Sequence, residues 1–231
     1  MATDCLEGIR ESNVEVRKVD RGGAVVTYRV SIGVFSLDVL MLNIAQPAQT
    51  IRRKLFAKGT FGEIFDASSA DRSEVIKRIS FRRRQIALSE ARNLTNWQLK
   101  ANYGELQNIL IEYGFCRICS ALGVGPKVRT FQNFDVVCYD NAAQFLLEKC
   151  KPLQSQPLDE IEPQLLYCLK VMHTFKLIHK DIKPANIMYS PSLRNFVLLD
   201  FGVSTYVKED IGFKTLTHRE GTYRYMSLEM Q

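Results

Sequence analysis

Residues 178–188 read IHKDIKPANIM, and VLLDFG follows at residues 197–202. Both stretches set acidic, basic and amide side chains among apolar residues, a mixture for which an ordinary strand or helix has no use. Phosphoryl transfer needs a nucleophile held in line, cations that neutralise the non-bridging oxygens, and oxygen ligands for Mg²⁺. The two stretches contain residue types suited to all three tasks.

Four side chains carry this interpretation. Asp181 can orient an attacking hydroxyl or accept its proton, and Lys183 can neutralise the moving phosphate. Asn186 and Asp200 offer the hard oxygen ligands that Mg²⁺ prefers. A random loop holds one such group, whereas the ordered set predicts phosphoryl-transfer chemistry.

Two stretches upstream fit an anionic ligand. Residues 59–64, GTFGEI, predict a glycine turn between two strands, where backbone N–H groups approach an anion unobstructed. An ordinary hairpin turn has the same glycine spacing. Lys77 in EVIKRI follows, and strand alternation puts it with Val75 on one face, opposite Ile76. An ammonium beneath a glycine turn suits phosphates, although a strand lysine is usually solvent-facing.

Composition narrows the class of protein. The 231 residues are 46% hydrophobic and 24% charged, as in soluble globular proteins, and the net charge of +6 fits a nucleotide without arguing for nucleic-acid binding. The apolar stretch 34–42 is too short to span a bilayer and contains Asp38, so we expect no membrane partner. Cys116 and Cys119 form a C-x-x-C without a second pair at zinc-site spacing. The six cysteines therefore indicate reduced thiols of an intracellular protein, cytoplasmic or nuclear.

The residue pattern changes from residue 55, after a connecting stretch at residues 44–54. Residues 13–43 alternate and are rich in valine, which predicts a hairpin or small sheet, and we assign residues 1–50 to a β-rich extension of unknown role. The remainder alternates between strand-like and helix-like stretches. These are strands at 55–67, 73–81, 127–131, 134–140 and 143–150, a helical tract at about 84–122, and an amphipathic helix at 161–177.

Residues 55–231 resemble a eukaryotic protein kinase domain. The matching elements follow the family order: glycine turn, strand lysine, HKDIKPAN, DFG, and GTYRYMSLE at 221–229. The resemblance implies an α+β bilobal fold, with an antiparallel N-lobe sheet at about 51–150 and an incomplete, mainly α-helical C-lobe at 151–231. It also implies transfer of the γ-phosphoryl group of Mg-ATP to a protein hydroxyl.

The resemblance gives each matching residue a role. Lys77 would hold the α- and β-phosphates, and Asn186 and Asp200 would bind Mg²⁺. Asp181 would be the catalytic base, with Lys183 beside the transferring phosphate. For the apolar residues of the implied adenine pocket, plain core packing is the alternative. The nucleotide-binding set is Gly59, Phe61 and Gly62 in the glycine turn, Ile64 and Val75 above the ring, Leu147, Glu148 and Cys150 behind and beside it, and Met188 below it.

The acidic partner of Lys77 is chosen among three glutamates of the helical tract, Glu90, Glu105 and Glu112. We favour Glu112, because EYGFCRICSALGVGPKV resembles the end of the kinase regulatory helix. This choice implies an insertion around residues 82–104. A solvated helix glutamate is the alternative.

Several residues indicate the substrate class and its regulation. Lys183-Pro184 and Thr222 resemble serine/threonine kinases, which implies a protein Ser or Thr hydroxyl as the acceptor. Thr215 and Thr217 lie where activating phosphates are often added, with unmodified loop residues as the alternative. Lys180 replaces the usual arginine and would pair with a phosphate as a point charge, without a bidentate fork.

The sequence departs from the family pattern in three places. Ala57 replaces the first loop glycine, and Ser227-Leu228 replaces Ala-Pro before Glu229. The chain stops at Gln231, before the remaining large-lobe helices, so we expect a fragment, a truncated product or a protein completed by a partner. The alternative function is a catalytically inactive nucleotide-binding scaffold.

Overall fold

The computed structural model describes residues 14–19, 25–43, 54–59, 62–80, 96–139, 142–153, 159, 161–207 and 221–227. Phe61, Glu90, Thr215, Thr217 and Glu229 lie outside these ranges, as does the stretch 84–95 of the expected helical tract. The fold below is that of the described residues.

A large sheet forms the small lobe. Its strands run in the order β1-β2-β3-β8-β9-β6-β5-β4, with β7 also paired to β9. Neighbours are antiparallel except β3 and β8, which are parallel. The strands are β1 Val14–Lys18, β2 Val25–Ile32, β3 Phe35–Asn43, β4 Leu55–Gly59, β5 Gly62–Asp66, β6 Glu74–Ser80, β7 Val128–Arg129, β8 Val136–Tyr139 and β9 Ala142–Glu148.

The hairpin or small sheet predicted within residues 13–43 is present as the antiparallel strands β1, β2 and β3. Alternation explains its orientation, because Val26, Val30 and Ile32 are buried while Arg29 is exposed. The pairing of β3 with β8 joins these strands to the sheet of residues 55–148. The boundary at residue 50, which stays a prediction, thus does not coincide with a break in the sheet.

Helix α1, Asn96–Ala121, lies against this sheet. Leu110, Tyr113 and Phe115 are fully buried, and buried residues occur on every side of its C-terminal half, so this half is covered all round. The helix ends at a C-cap in which the backbone N–H groups of Val124 and Gly125 donate to the carbonyl oxygen of Cys119 at 2.9 and 3.0 Å.

The described part of the large lobe contains one α-helix, two short 3-10 helices (Pro184–Asn186 and Tyr223–Tyr225), a three-stranded sheet and a two-stranded sheet. Helix α2 spans Ile161–Thr174, three residues shorter than the predicted 161–177, because the chain turns at Phe175 and Lys176. The strands of the large lobe are β10 Lys151–Pro152, β11 Leu177–Ile178, β12 Ile187–Ser190, β13 Asn195–Leu198 and β14 Thr205–Tyr206. Among the described residues, no helix is long and apolar enough to cross a membrane. The predicted α+β bilobal architecture is confirmed.

Candidate active site

Lys77 links the two lobes through its amine. It lies in the centre of β6, between β5 and β9, and is 7% exposed. The amine contacts the Glu112 carboxylate from α1 and donates to Oδ1 of Asp200 in the large lobe at 2.7 Å. Burial favours the neutral amine, but the two carboxylates outweigh it and raise the pKa of Lys77. The side chain is therefore a fixed positive charge at neutral pH.

The β12–β13 hairpin brings the two expected metal ligands to one end of the large lobe. Its register pairs Ile187 with Leu198. Next to this pair, the backbone N–H of Leu199 donates to the carbonyl oxygen of Asn186 at 2.9 Å. Asp200 follows with φ +64, in the left-handed region that non-glycine residues seldom adopt. Such backbone conformations occur preferentially at functional sites.

Asp181 is the centre of a hydrogen-bond network and is 4% exposed. Lys183 Nζ donates to its Oδ2 at 2.7 Å, and Asn186 Nδ2 donates to its Oδ2 at 3.1 Å and to its carbonyl oxygen at 2.9 Å. The backbone N–H and hydroxyl of Thr222 donate to Oδ1 at 2.9 and 2.7 Å. Burial alone would raise the pKa of Asp181, but the bonds from Lys183 and Thr222 lower it below its ordinary value. Asp181 is therefore an ionised carboxylate at neutral pH.

The segment GTYRY, residues 221–225, packs directly on the loop that contains Lys180, Asp181 and Lys183. Lys183 Nζ also donates to the Thr222 hydroxyl at 2.8 Å, which closes a three-membered network with Asp181. A Cβ at Gly221 would lie 2.5 Å from the carbonyl oxygen of Lys180, so only glycine permits this approach. The substrate-class residue Thr222 thus sits against the expected base.

His179 fixes the backbone on both sides of the site. Its Nδ1 accepts from the backbone N–H of Asp181 at 3.2 Å, and its Nε2 lies 2.9 Å from the carbonyl oxygen of Leu199, to which it donates. Burial lowers the pKa of His179, so the ring is neutral and serves as donor and acceptor at once. The ring also packs against Phe201, with centroids 5.1 Å apart. No sequence pattern indicated this role of His179.

The described residues of the expected adenine pocket come from β5, β6 and β9 of the small lobe, from Cys150 just after β9, and from β12 of the large lobe. Val75 pairs with Leu147 across β6 and β9, and both are buried. Ile64 on β5 is half-buried and pairs with Lys77 on β6. Met188 on β12 is half-buried and pairs with Pro152 on β10. The glycine turn is supported by the pairing of Gly59 with Gly62 at the facing ends of β4 and β5.

Glu148 was expected to offer its backbone to a nucleotide, and its side chain has a role that the sequence does not signal. The carboxylate is buried and accepts from the Ser190 hydroxyl at 2.8 Å and from the Ser192 N–H and hydroxyl at 2.8 and 2.9 Å. It therefore ties the last strand of the small lobe to the β12–β13 turn. Cys150, two residues later, is a buried thiol.

Of the three candidate partners of Lys77, Glu112 is the one in contact with it. Glu90 and the side chain of Glu105 lie outside the described part of the chain, as do Phe61 and the expected phosphorylation positions. Their assignments stay predictions.

The sequence profile of the protein kinase domain family matches residues 52–230. The match covers most of the chain and includes every described site residue above. The protein therefore belongs to the protein kinase domain family.

Curated relatives are similar over shorter stretches. Mitogen-activated protein kinase kinase kinase 8 of Rattus norvegicus is 38% identical over 85 residues, 36% of this chain and 17% of that protein. The non-specific serine/threonine protein kinase Cdc7 of Drosophila melanogaster is 44% identical over 43 residues, 19% of this chain and 6% of that protein. Serine/threonine-protein kinase D of Synechocystis is 41% identical over 70 residues, 30% and 13% of the two chains. The aligned stretches span only a small part of these relatives.

Proposed function

We propose that residues 51–231 form an ATP-dependent protein serine/threonine kinase unit that transfers the γ-phosphoryl group of Mg-ATP to a protein Ser or Thr hydroxyl. The observation that carries the proposal is the convergence of Lys77, Asp181, Lys183, Asn186 and Asp200 at the junction of the lobes. A cationic amine from one lobe contacts a carboxylate of the other, beside an ionised, hydrogen-bonded aspartate.

The network suits Asp181 to act on the acceptor. The lowered pKa makes it a weak base, so its main role is to orient the hydroxyl and take its proton late, as the phosphorus–oxygen bond forms and the bond to ADP breaks. Lys183 neutralises charge on the phosphoryl oxygens, since its amine lies 2.7 Å from the Asp181 carboxylate. Lys77 anchors the α- and β-phosphates as a permanent cation.

The donor set fits a magnesium ion. Asn186 donates through Nδ2 to Asp181, which leaves Oδ1 as the amide atom suited to a cation, and Asp200 supplies a carboxylate that is 26% exposed. When bound, Mg²⁺ supplies positive charge to the phosphate oxygens. This chain's part would be to hold the two oxygen donors, and the β12–β13 register supports that role.

The substrate class rests on Thr222. Its hydroxyl bridges Asp181 and Lys183 and so joins the expected acceptor-binding segment to the catalytic loop. The names of the relatives above, two of which specify serine/threonine kinases, support the same class. For the compartment we propose the cell interior, cytoplasm or nucleus, because the five described cysteines are buried free thiols.

The experiment uses the whole chain with γ-labelled Mg-ATP, a generic basic protein and phosphoamino-acid analysis. We expect labelled serine or threonine, loss of the label in Lys77→Met, and retention in the control Lys170→Met, because Lys170 is exposed on α2. Stabilisation of the protein by ATP without label in any acceptor would refute the kinase and favour the scaffold. Labelled tyrosine alone would refute the substrate class.

A further inference from the structure

Strands β1, β2 and β3, here called the brace, cover the face of α1 that points away from Lys77. The brace buries Val16, Val26, Tyr28, Val30, Ile32, Val39 and Met41 in the core shared with α1. The two approach closely at Gly114, where an added Cβ would lie 2.8 Å from Cγ1 of Val30 and 3.1 Å from Cδ1 of Ile32. A glycine in mid-helix costs about 1 kcal/mol relative to alanine, so its place here needs a packing reason, and this contact supplies it.

Polar contacts join the brace to α1 as well. Asp135, next to β8, accepts from the backbone N–H of Leu40 on β3 at 3.0 Å. Its other carboxylate oxygen accepts from Arg117 on α1 at 2.8 Å. Asp135 is 7% exposed, so its carboxylate is largely shielded from water, although the Arg117 side chain is 39% exposed. The helix is thus fixed to the brace by packing and by a shared carboxylate.

The brace also reaches the large lobe. The β2–β3 turn lies against the ring of Tyr206, since a Cβ on Gly33 would be 2.0 Å from its Cε2. The Phe35 ring packs on Phe175, after α2, with centroids 5.4 Å apart. Tyr206 lies in β14, on the segment that follows Asp200. One element therefore contacts α1, the end of α2 and the chain beyond the expected metal ligand.

The geometry of α1 connects the brace to the site. Two residues along an α-helix differ by about 200° in direction, so Glu112 and Gly114 face nearly opposite sides. Glu112 faces Lys77, and Gly114 faces the brace. A retreat of the brace would therefore let α1 move along the direction that separates the Glu112 carboxylate from the Lys77 amine.

We propose that the brace is a built-in positioning element of the kinase site: it presses α1 toward Lys77 and keeps the Glu112–Lys77 pair formed, with Gly114 as the positioning residue. The inference rests on the proposed function for its effect on catalysis. Its structural part, the hold on α1, does not depend on phosphoryl transfer.

The test is Gly114→Ala in the whole chain. Alanine favours the helix itself, so a loss arises from the clash, which drives the brace off α1 and removes its support, rather than from helix propensity. We expect protection from amide hydrogen exchange to be lost in the part of α1 around residues 106–119 but kept in α2. The transfer rate per folded molecule should fall on the order of tenfold to a hundredfold, the size expected when a catalytic group is displaced by about 1 Å.

A second substitution supplies the rescue. Val30→Ala removes the Cγ1 atom nearest to the new methyl group, so Gly114→Ala with Val30→Ala should regain much of the rate and of the α1 protection. Two controls lie on exposed positions: Asn108→Ala on α1 and Lys18→Ala at the end of β1 in the brace should behave as wild type. If Gly114→Ala does not fold, Ile32→Ala tests the same contact from the other side, with the same α1-localised loss in smaller degree.

Two results would overturn the inference: wild-type rate and α1 protection in Gly114→Ala, or a loss of protection that is equal in α1 and α2 and is not rescued. If the wild-type chain transfers no phosphoryl group, the proposed function fails. The exchange pattern of α1 then decides on the brace independently.

Discussion

Replacing Thr222 by valine removes one hydroxyl from the network around Asp181 while keeping the side chain's shape. That hydroxyl donates to Oδ1 of Asp181 at 2.7 Å and accepts from Lys183 at 2.8 Å. The backbone N–H of Thr222 keeps its own bond to Oδ1 at 2.9 Å, so the carboxylate loses orientation without being released. We therefore expect the variant to alter the orientation of the Asp181 carboxylate while the site itself stays formed.

The magnitude follows from the charges involved. A hydrogen bond to a charged partner contributes about 1.5–3 kcal/mol. The Lys183 side chain is 22% exposed and can exchange its bond for water, whereas Asp181, at 3%, cannot. Counting the Asp181 bond alone, we expect the transfer rate of Thr222→Val to fall between about tenfold and about 150-fold. The surviving N–H bond favours the lower end.

The assay is steady-state transfer from γ-labelled Mg-ATP, with kcat and the KM for ATP measured separately. We expect kcat to fall and the KM for ATP to stay near wild type, because the side-chain and N–H bonds that join Thr222 to described residues go to Asp181 and Lys183 and not to the expected nucleotide-binding set. Thr222→Ser, which keeps the hydroxyl, should keep most of the rate. The acid limb of the rate profile should also move to higher pH in Thr222→Val, since the hydroxyl helps to lower the pKa of Asp181.

Equal rates for the valine and wild-type chains would refute the network's role in catalysis. Equal losses in the serine and valine variants would show that side-chain shape, rather than the hydroxyl, matters at this position.

Three further predictions concern stability, each measured by chemical denaturation. Glu112→Gln leaves Lys77 one carboxylate short and should lower the free energy of unfolding by about 1–3 kcal/mol, and an unchanged midpoint would contradict the pairing. Because the pKa of buried His179 is lowered in the folded state, the unfolded chain binds its proton first, so stability should fall as pH drops below about 6.5. His179→Gln should remove this pH dependence of stability, whereas His173→Gln, at an exposed position, should keep it. The reverse result would show that a group other than His179 causes the dependence. Glu148→Gln replaces an acceptor oxygen by an amide donor that faces hydroxyl and N–H groups, and it should lower the free energy of unfolding by about 1–3 kcal/mol. Unchanged stability would contradict the role of the carboxylate in joining the two lobes.

The sequence indicated which candidate site residues come together better than it indicated the strand pairings and helix packing that position them. Asp181, Lys183 and Asn186 lie within one short loop, so their proximity follows from chain connectivity. Lys77 and Asp200 are distant in the chain, and only their places in a familiar order of motifs indicated that they meet. The structure brings them to 2.7 Å.

What the sequence did not reveal depends on contacts between remote segments. The valine-rich alternation predicted a hairpin within residues 13–43, but no local pattern specifies that β3 pairs in parallel with β8. In the sequence, Gly114 is only a residue that weakens a helix, whereas in the structure Val30 packs closely against it. Glu148 likewise has partners more than forty residues away, at Ser190 and Ser192. Register and close packing of this kind are set by the whole fold.

The most direct test of the central claim is phosphoryl transfer by Asp181→Asn beside the wild-type chain, with nucleotide affinity measured on both. Asparagine keeps the size of the side chain but cannot accept the hydroxyl's proton. We predict labelled acceptor with wild type, wild-type affinity for Mg-ATP in the variant, and a transfer rate lower on the order of a hundredfold to ten-thousandfold. Transfer by Asp181→Asn at the wild-type rate would contradict the proposed role of Asp181 in phosphoryl transfer.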